Sequence, residues 1–233
     1  MRRDLAFVAL GVALLATGHG MGLFSAPPEA TMGESGRILY VHVPTAWIAM
    51  LCFLAAFIAA IGSLWTGRLG WDAMVEASAE VGVVLTGLVL VQGSIWGHIT
   101  WGVWWDWDPR LTTTAVMFVA FAVVLVLRGA IDSPDRRKMA SAVATIIAFV
   151  DVPIMYMSVR WWRSLHQTQS TPSTVDGSMV LPLRIAAFGM LFLAMGLIGL
   201  RWRLARKRLE REQAAPDLPE RAPAVRIDAA GGA

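Results

Sequence analysis

The sequence predicts an all-α polytopic membrane protein with six transmembrane helices. Of its 233 residues, 56% are apolar, and the mean hydropathy of +0.57 departs from that of soluble globular domains. Apolar runs near the ~20-residue length that spans a bilayer recur along the chain; they cover residues 5–24, 41–62, 79–99, 112–128, 139–159 and 183–201. We therefore expect a six-helix membrane domain over residues 1–203 and a tail over residues 204–233.

Both chain termini are expected on the cytoplasmic side. Lys and Arg are concentrated beside the run ends that share a side with the N-terminus, and such flanks stay in the cytoplasm. The first run follows Arg2 and Arg3 as a signal peptide would, but its length and the lack of a small-residue cleavage site favour a retained span. The tail is basic and then rich in Ala and Pro, which predicts a disordered end. The cytoplasmic position expected for the tail explains its basic charge, and no sequence feature indicates nucleic-acid binding.

The interruptions between apolar runs and the position of Asp151 within the fifth run each lead to a structural prediction. Residues 63–78 and 129–138 are predicted to be short cytoplasmic connectors, because they interrupt the apolar runs. Asp151 lies within the fifth run, where an ionised carboxylate would cost about 2.5–3.5 kcal/mol at the bilayer centre. We expect Asp151 to face other helices, and Pro153 to kink the span.

A tryptophan-rich segment, residues 96–112, joins the third and fourth runs on the outer side. It contains the sequence WGVWWDWDPRLT, in which Trp101, Trp104, Trp105 and Trp107 are crowded together. Aromatic rings beside a few fixed polar groups suit a flat, largely apolar ligand such as a porphyrin. An aromatic belt is the alternative, but a belt would populate both membrane interfaces.

Two histidines lie on the same side of the membrane as this segment. His42 follows one crossing, the segment follows three and His166 follows five, so all lie on one side in either orientation. Two imidazoles could ligate an iron from opposite faces of a macrocycle. The alternative is that each is an ordinary interfacial histidine; His98 and His19 are weaker candidates. The single cysteine, Cys52, excludes a CxxCH attachment site, so any heme would be held without a thioether bond.

The charges of the outer side suggest contacts to carboxylates. Arg110 lies in the tryptophan-rich segment and could bind a heme propionate through its planar guanidinium. Other outer cations could do the same or simply extend to the headgroups; they are Arg160, Arg163 and Arg184. Asp106 and Asp108 are expected to orient Arg110, to cap the helix that starts near Leu111, or to accept a hydrogen bond from a ligand imidazole.

Three stretches give the chain a family resemblance. YVHVPTAW (40–47), GSIWGHITWGVWWDWDPRLTT (93–113) and VPIMYMSVRWWRSLHQ (152–167) resemble the CcmC family, the heme-handling membrane proteins of bacterial cytochrome c maturation. The resemblance implies non-covalent heme b at the periplasmic face of the inner membrane, with His42 and His166 as iron ligands. It places the heme against the WWD segment, whose predicted contacts are Trp101, Trp104, Trp105, Trp107, Asp108 and Arg110.

The resemblance also implies a function without catalysis. Members of the family load heme onto a periplasmic heme chaperone, CcmE, in a complex with the ABC-type pair CcmA and CcmB and the small membrane protein CcmD. We therefore expect a heme-delivery protein. Three other functions stay open at this point: a cytochrome b-like quinone oxidoreductase, a cytochrome c heme lyase of the same WWD group, and a transporter of heme or another solute.

Overall fold

The computed structural model describes residues 1–167 and 176–214. Within these ranges the regular structure is helical: α1 (Arg2–Gly20), which continues as a π-helical turn (Met21–Ser25), a 3-10 turn (Glu34–Ile38), α2 (Leu39–Thr66), α3 (Leu69–Trp101), α4 (Pro109–Ala130), α5 (Pro134–Phe149), α6 (Asp151–Trp161) and α7 (Gly177–Ala214). Helix α7 thus includes the first part of the predicted tail, whereas the predicted disordered end, residues 215–233, lies outside the described residues.

The six predicted spans are confirmed. In the described parts of the chain, six helical segments are long and apolar enough to cross a membrane. The fifth of these segments consists of α5 and α6, which are separated at Val150. Val150 keeps right-handed helical backbone angles, with φ −56° and ψ −32°, and Pro153 lies in the first turn of α6, where its missing N–H breaks no hydrogen bond of α6.

The bundle has two ends that differ in composition. At the site end, α2 and α4 begin and α3 and α6 end; at the terminal end, α1 begins and α7 ends. The prediction of connectors over 63–78 and 129–138 is wrong, because only residues 67–68 and 131–133 lie outside helices there. The charged residues that interrupt the apolar runs belong instead to helices α3 and α5, where they form ion pairs.

A buried ion-pair network fills the terminal end. Nη1 of Arg128 donates to Oδ1 of Asp72 at 2.7 Å, and Nη2 donates to Oε2 of Glu76 at 3.0 Å. Arg208 of α7 donates to the same Glu76 oxygen at 2.5 Å. The exposed fractions of Arg128, Asp72 and Glu76 are only 5%, 2% and 4%. The network joins α3 and α4 through buried charges, and α7 is attached to it through the partly exposed Arg208.

Aromatic stacking closes the middle of the bundle. The rings of Phe53 in α2 and Phe121 in α4 stack with their centroids 3.8 Å apart. Gly82 of α3 makes room for Phe53, since a Cβ atom at that position would lie 2.5 Å from Cε1 of the ring. Phe57 of α2 and Phe149 of α5 stack at 4.3 Å. These contacts separate the terminal end from a cavity at the site end.

Candidate functional site

A cavity of about 300 Å³ lies at the site end, between α2, α3, α4, α6 and the residues that follow α6. This volume is at the lower limit of small-molecule sites. Its walls are mainly apolar and aromatic, and both His42 and His166 line it. The structure therefore brings the two predicted iron ligands to one cavity, although 124 positions separate them in the sequence.

His42 is held deep in the wall of this cavity. It lies in the first turns of α2, its exposed fraction is 8%, and its ring packs edge-on against Trp96 with centroids 5.7 Å apart. Gly93 of α3 leaves space for the imidazole, because a Cβ atom there would lie 3.3 Å from Cε1. Nδ1 of His42 and Nε1 of Trp96 are buried without a hydrogen-bond partner among the described residues. Two buried polar atoms at this wall are thus left for a ligand or water.

His166 has the protonation state that a metal ligand requires. Its Nδ1 lies 3.1 Å from the carbonyl oxygen of Gln167, and because a carbonyl only accepts, Nδ1 carries the proton and Nε2 keeps its lone pair. Burial lowers the pKa of His166, and the nearby Arg110 guanidinium lowers it further, against the hydrogen bond to Gln167, which raises it. The ring also contacts Trp101, with centroids 6.5 Å apart. The imidazole is therefore neutral and available through Nε2.

Asp108 connects the tryptophan-rich segment to the residues around His166. Its Oδ1 accepts from the backbone N–H of Arg110 at 2.8 Å, which caps α4 as the sequence predicted. Its Oδ2 accepts from the backbone N–H of Leu165 at 2.6 Å. Burial acts to raise the pKa of Asp108, but hydrogen bonds from Ser164, Leu165 and Arg110 outweigh burial and lower it. The carboxylate is thus ionised and fixes the residue next to His166.

Arg110 is the cation of the cavity. Its guanidinium lines the cavity, and Nη1 donates to the carbonyl oxygens of Met155 and Tyr156 at 3.2 Å each. A guanidinium has five N–H donors, and these two carbonyls use only those of Nη1. The other predicted cations lie outside the cavity lining and are exposed; they are Arg160, Arg163 and Arg184.

The four tryptophans of the segment divide into two pairs. Trp101 and Trp105 line the cavity. Trp104 lies outside the cavity lining and stacks on His98, with centroids 4.0 Å apart and planes inclined by 5°. Trp107 is also outside the lining, and its exposed fraction is 80%. The structure thus brings half of the predicted aromatic contacts to the histidines and leaves the other half at the surface.

Sequence reasoning missed two aromatic residues of the cavity wall, Trp47 and Tyr156, and included Trp96 only as part of the tryptophan-rich segment. Helical spacing offered a signal for Trp47, which follows Val43, another lining residue, by one turn of α2. No comparable signal marked Tyr156.

Comparisons with known proteins agree with this architecture. The model of the CcmC family, described as heme exporter protein C, matches residues 2–215. The heme exporter protein C of Bradyrhizobium diazoefficiens is 36% identical over 191 residues, which cover 79% of this chain and 72% of that protein. The heme exporter protein C of Escherichia coli is 37% identical over 194 residues, or 82% and 79% of the two chains. A putative cytochrome c biosynthesis ccmC-like mitochondrial protein of Marchantia polymorpha is 30% identical over 176 residues, or 74% and 75%.

Proposed function

Because the chain belongs to the CcmC family of heme exporter protein C, we propose that it holds heme b non-covalently between His42 and His166 and delivers it to a periplasmic heme chaperone. The chain is a multi-pass inner-membrane protein with a heme-handling role in cytochrome c maturation. The proposal adds the ligands, the orientation and the acceptor.

One observation carries the ligand assignment: two histidines from distant parts of the chain line the same apolar cavity. A porphyrin supplies four equatorial nitrogen atoms itself, so the protein needs to provide only two axial ligands. His166 is a neutral imidazole with its Nδ1–H bonded to a backbone carbonyl, which is a common arrangement for metal-bound histidine. His42 packs closely on Gly93 of α3, and its Nδ1 has no hydrogen-bond partner among the described residues. The donor set therefore fits heme iron.

The rest of the cavity suits the other parts of a heme molecule. Trp101 and Trp105 provide aromatic surface for the macrocycle, and Arg110 provides a permanent positive charge for a propionate. Asp108 acts through its contact with Leu165 rather than through the heme, because a carboxylate would repel a propionate.

Delivery follows from the type of bond. Axial imidazole ligands can exchange, whereas a thioether bond to heme cannot, so a bis-histidine site suits a protein that must release its cargo. We place the site end in the periplasm, with both termini in the cytoplasm, as the positive flanks indicate. A CcmE-like chaperone would be the acceptor, and a CcmA, CcmB and CcmD complex the setting.

The first experiment measures the absorption spectrum of purified wild type, His42→Ala, His166→Ala and the control His98→Ala. We expect the low-spin spectrum of bis-imidazole heme in wild type and in His98→Ala, because His98 lies outside the cavity lining. His42→Ala and His166→Ala should each lose the low-spin spectrum. Unchanged spectra in both His42→Ala and His166→Ala would refute the ligand assignment.

A second experiment tests delivery separately. Heme-loaded wild type is mixed with the soluble domain of a periplasmic heme chaperone of the CcmE type, and the two are separated by affinity. We expect heme to leave the membrane protein and appear on the chaperone. Retention of all heme on the membrane protein, with its bis-imidazole spectrum intact, would contradict delivery while leaving heme binding in place.

A further inference from the structure

We propose that the fifth membrane span binds a transmembrane helix of a different membrane protein through the carboxyl group of Asp151. The partner helix carries a hydrogen-bond donor at the same depth, in the form of an amide, hydroxyl, imidazole or cationic group. The proposal goes beyond heme binding, because Asp151 lies outside the cavity lining. It also stands independently of the assignment of the iron ligands.

Asp151 lies in a part of the chain that is far from water. The fifth spanning segment covers Pro134–Trp161, and Asp151 is near its middle, where α5 ends and α6 begins. A carboxyl group at the centre of a bilayer is rare, and it ordinarily faces protein groups or a water-filled cavity. Its contacts within the bundle therefore decide whether the chain alone accommodates it.

The described part of the chain does not satisfy this carboxyl group. Oδ2 of Asp151 is buried and has no hydrogen-bond partner among the described residues. The residue as a whole is only partly buried, so the carboxyl group lies at the boundary between the bundle and the lipid. The sequence predicted that Asp151 faces other helices; one of its oxygens does so, but no described residue donates a hydrogen bond to that oxygen.

The other buried acidic residues of the described chain differ from Asp151. They are Asp4, Asp72, Glu76 and Asp108. The first three form ion pairs with arginines of other helices, and Asp108 accepts hydrogen bonds from the backbone N–H groups of Arg110 and Leu165. Asp151 is thus an exception among carboxylates that are otherwise satisfied within the chain, and it lies near the middle of a span.

Asp151 borders an exposed apolar face of the fifth span. Ile147, one helical turn before Asp151, is 67% exposed, and the adjacent Val150 is 58% exposed. The opposite face of this span packs on α2 and α4. A helix that lay along Ile147 and Val150 would therefore cover apolar surface and reach the carboxyl group at the same time.

Pro153 adds a second acceptor at the same depth. It has no N–H, so it cannot donate to the carbonyl oxygen of Phe149, four residues earlier in the chain. A backbone carbonyl that lacks its usual helical donor is costly in hydrocarbon, as a carboxyl group is. Both groups accept hydrogen bonds, and this defines the chemistry of the occupant, which must bring donors.

This requirement distinguishes the possible occupants of the face. Lipid tails provide no donor. A second copy of this chain in a symmetric dimer would place one Asp151 against another, which brings acceptor to acceptor. A helix of a different membrane protein can supply the donor, and close packing together with interhelical hydrogen bonds is what associates helices in lipid. We therefore assign the face to such a helix.

The test places a photo-crosslinking amino acid at Val150 of the full chain, expressed in the membranes of its native host. The probe is introduced into three backgrounds: wild type, Asp151→Asn and Asp151→Leu. A matched control carries the probe at Val91 of α3, which is 59% exposed and therefore as accessible as Val150. After irradiation, the crosslinked peptides are identified by mass spectrometry and the yield of each product is measured.

We expect the Val150 probe to crosslink to a transmembrane segment of a different protein, within one helical turn of a side chain that donates hydrogen bonds. Asp151→Leu should lower this yield by about three- to tenfold, the range that one interhelical hydrogen bond gives. Asp151→Asn keeps an acceptor oxygen and should retain the yield within about twofold. Products of the Val91 probe should be the same in the three backgrounds.

A variant that folds poorly would also lose crosslinks, so the partner supplies a second test. Once its crosslinked segment is known, its donor side chain is changed to Leu while this chain stays wild type, and we expect the same loss of yield. Crosslinks confined to lipid, to a second copy of this chain or to a segment without a donor would overturn the proposal. Equal yields in the three backgrounds would overturn it as well, and the proposed heme function would stand in each case.

Discussion

The Arg128 network at the terminal end and the cavity at the site end treat buried polar groups differently. At the terminal end, Arg128 is surrounded by carboxylates, and each of its charged contacts is made within the protein. At the site end, Nδ1 of His42 and Nε1 of Trp96 are buried and have no hydrogen-bond partner among the described residues. Nε of Arg137 at the terminal end is also buried without a partner among the described residues, but only at the site end do such atoms belong to residues that line the cavity described above.

We infer that the paired charges stabilise the bundle and that the unpaired polar atoms at the cavity serve ligand binding. A buried ion pair is stable only if its charges satisfy each other, and such networks tie helices together. Buried polar atoms without partners reduce stability, so their presence around one cavity points to a ligand that completes them. The same helices, α3 and α4, run between the two ends. A fixed terminal end would therefore hold the walls of the site in place.

The largest expected effect is at the terminal end. Arg128→Met leaves Asp72 and Glu76 buried without their central cation, and breaking a buried pair in this way costs about 3–5 kcal/mol. The matched control is Arg201→Met, whose partner Glu80 is partly exposed, and which should cost about 0–1 kcal/mol. Chemical unfolding in detergent measures both. Equal stabilities of the two variants would show that the network does not hold the helices together.

At the site end, we expect the tryptophans to separate into two groups. Trp101→Ala removes a ring that lines the cavity and should weaken heme binding by roughly tenfold, with little change in the stability of the apoprotein. Trp107→Ala alters a residue that is 80% exposed and should change binding by less than about twofold. Heme titration of the purified variants provides the comparison. Equal losses would place Trp107 against the macrocycle after all, as the sequence predicted.

Asp108 sharpens the comparison because it is a satisfied polar group at the unsatisfied end. Asp108→Ala removes a helix cap worth about 0.5–2 kcal/mol and releases Leu165, next to His166. We expect heme affinity to fall by several-fold and the low-spin fraction to decrease. Asp106→Ala is the control, because Asp106 is two residues away and exposed. This variant should keep the heme affinity and the low-spin fraction of the wild type. If Asp108→Ala lowered the stability but left the heme spectrum unchanged, the role of Asp108 would be limited to capping α4.

The smallest expected effect concerns pH. Burial lowers the pKa of His166 below its ordinary value of 6.5, so the folded protein keeps this imidazole neutral at pH values where an unfolded chain takes up a proton. Apoprotein stability should therefore decrease as the pH falls below about 6.5, while ligation by His166 should weaken by less than about twofold between pH 7.5 and pH 6. Spectra recorded across this range measure the ligation. Arg110→Gln removes a neighbouring positive charge and should move the loss of ligation to higher pH.

The sequence predicted the spans from hydropathy, and it predicted from the number of crossings that His42, Arg110 and His166 share one end of the bundle. It assigned Asp72 to a connector, since a charged residue in an apolar chain ordinarily marks the end of a span. Arg128, its partner, comes from another helix, and such pairing at 56 positions' separation cannot be read from spacing. The same limit applies to the contact between Asp108 and Leu165.

Within the site, the sequence predicted the types of residue better than the positions of their side chains. Histidine and arginine types at the outer ends of spans predicted His42, His166 and Arg110, which line the cavity, but also Arg160, Arg163 and Arg184, which do not. They could not separate Trp105 from Trp104, which are adjacent in the chain but point to different surroundings. That choice depends on the backbone after Gly102, whose positive φ of 77° ends α3 and redirects the segment.

The most direct test of the account is rescue by free imidazole. His42→Gly and His166→Gly each remove one proposed iron ligand and leave a space of imidazole size in the cavity wall, while His98→Gly alters a histidine outside the lining. We predict that each of the first two variants loses the low-spin spectrum and regains it when imidazole is added, and that His98→Gly keeps it throughout. A low-spin spectrum that persists in both cavity variants without imidazole would contradict the claim that His42 and His166 hold the iron.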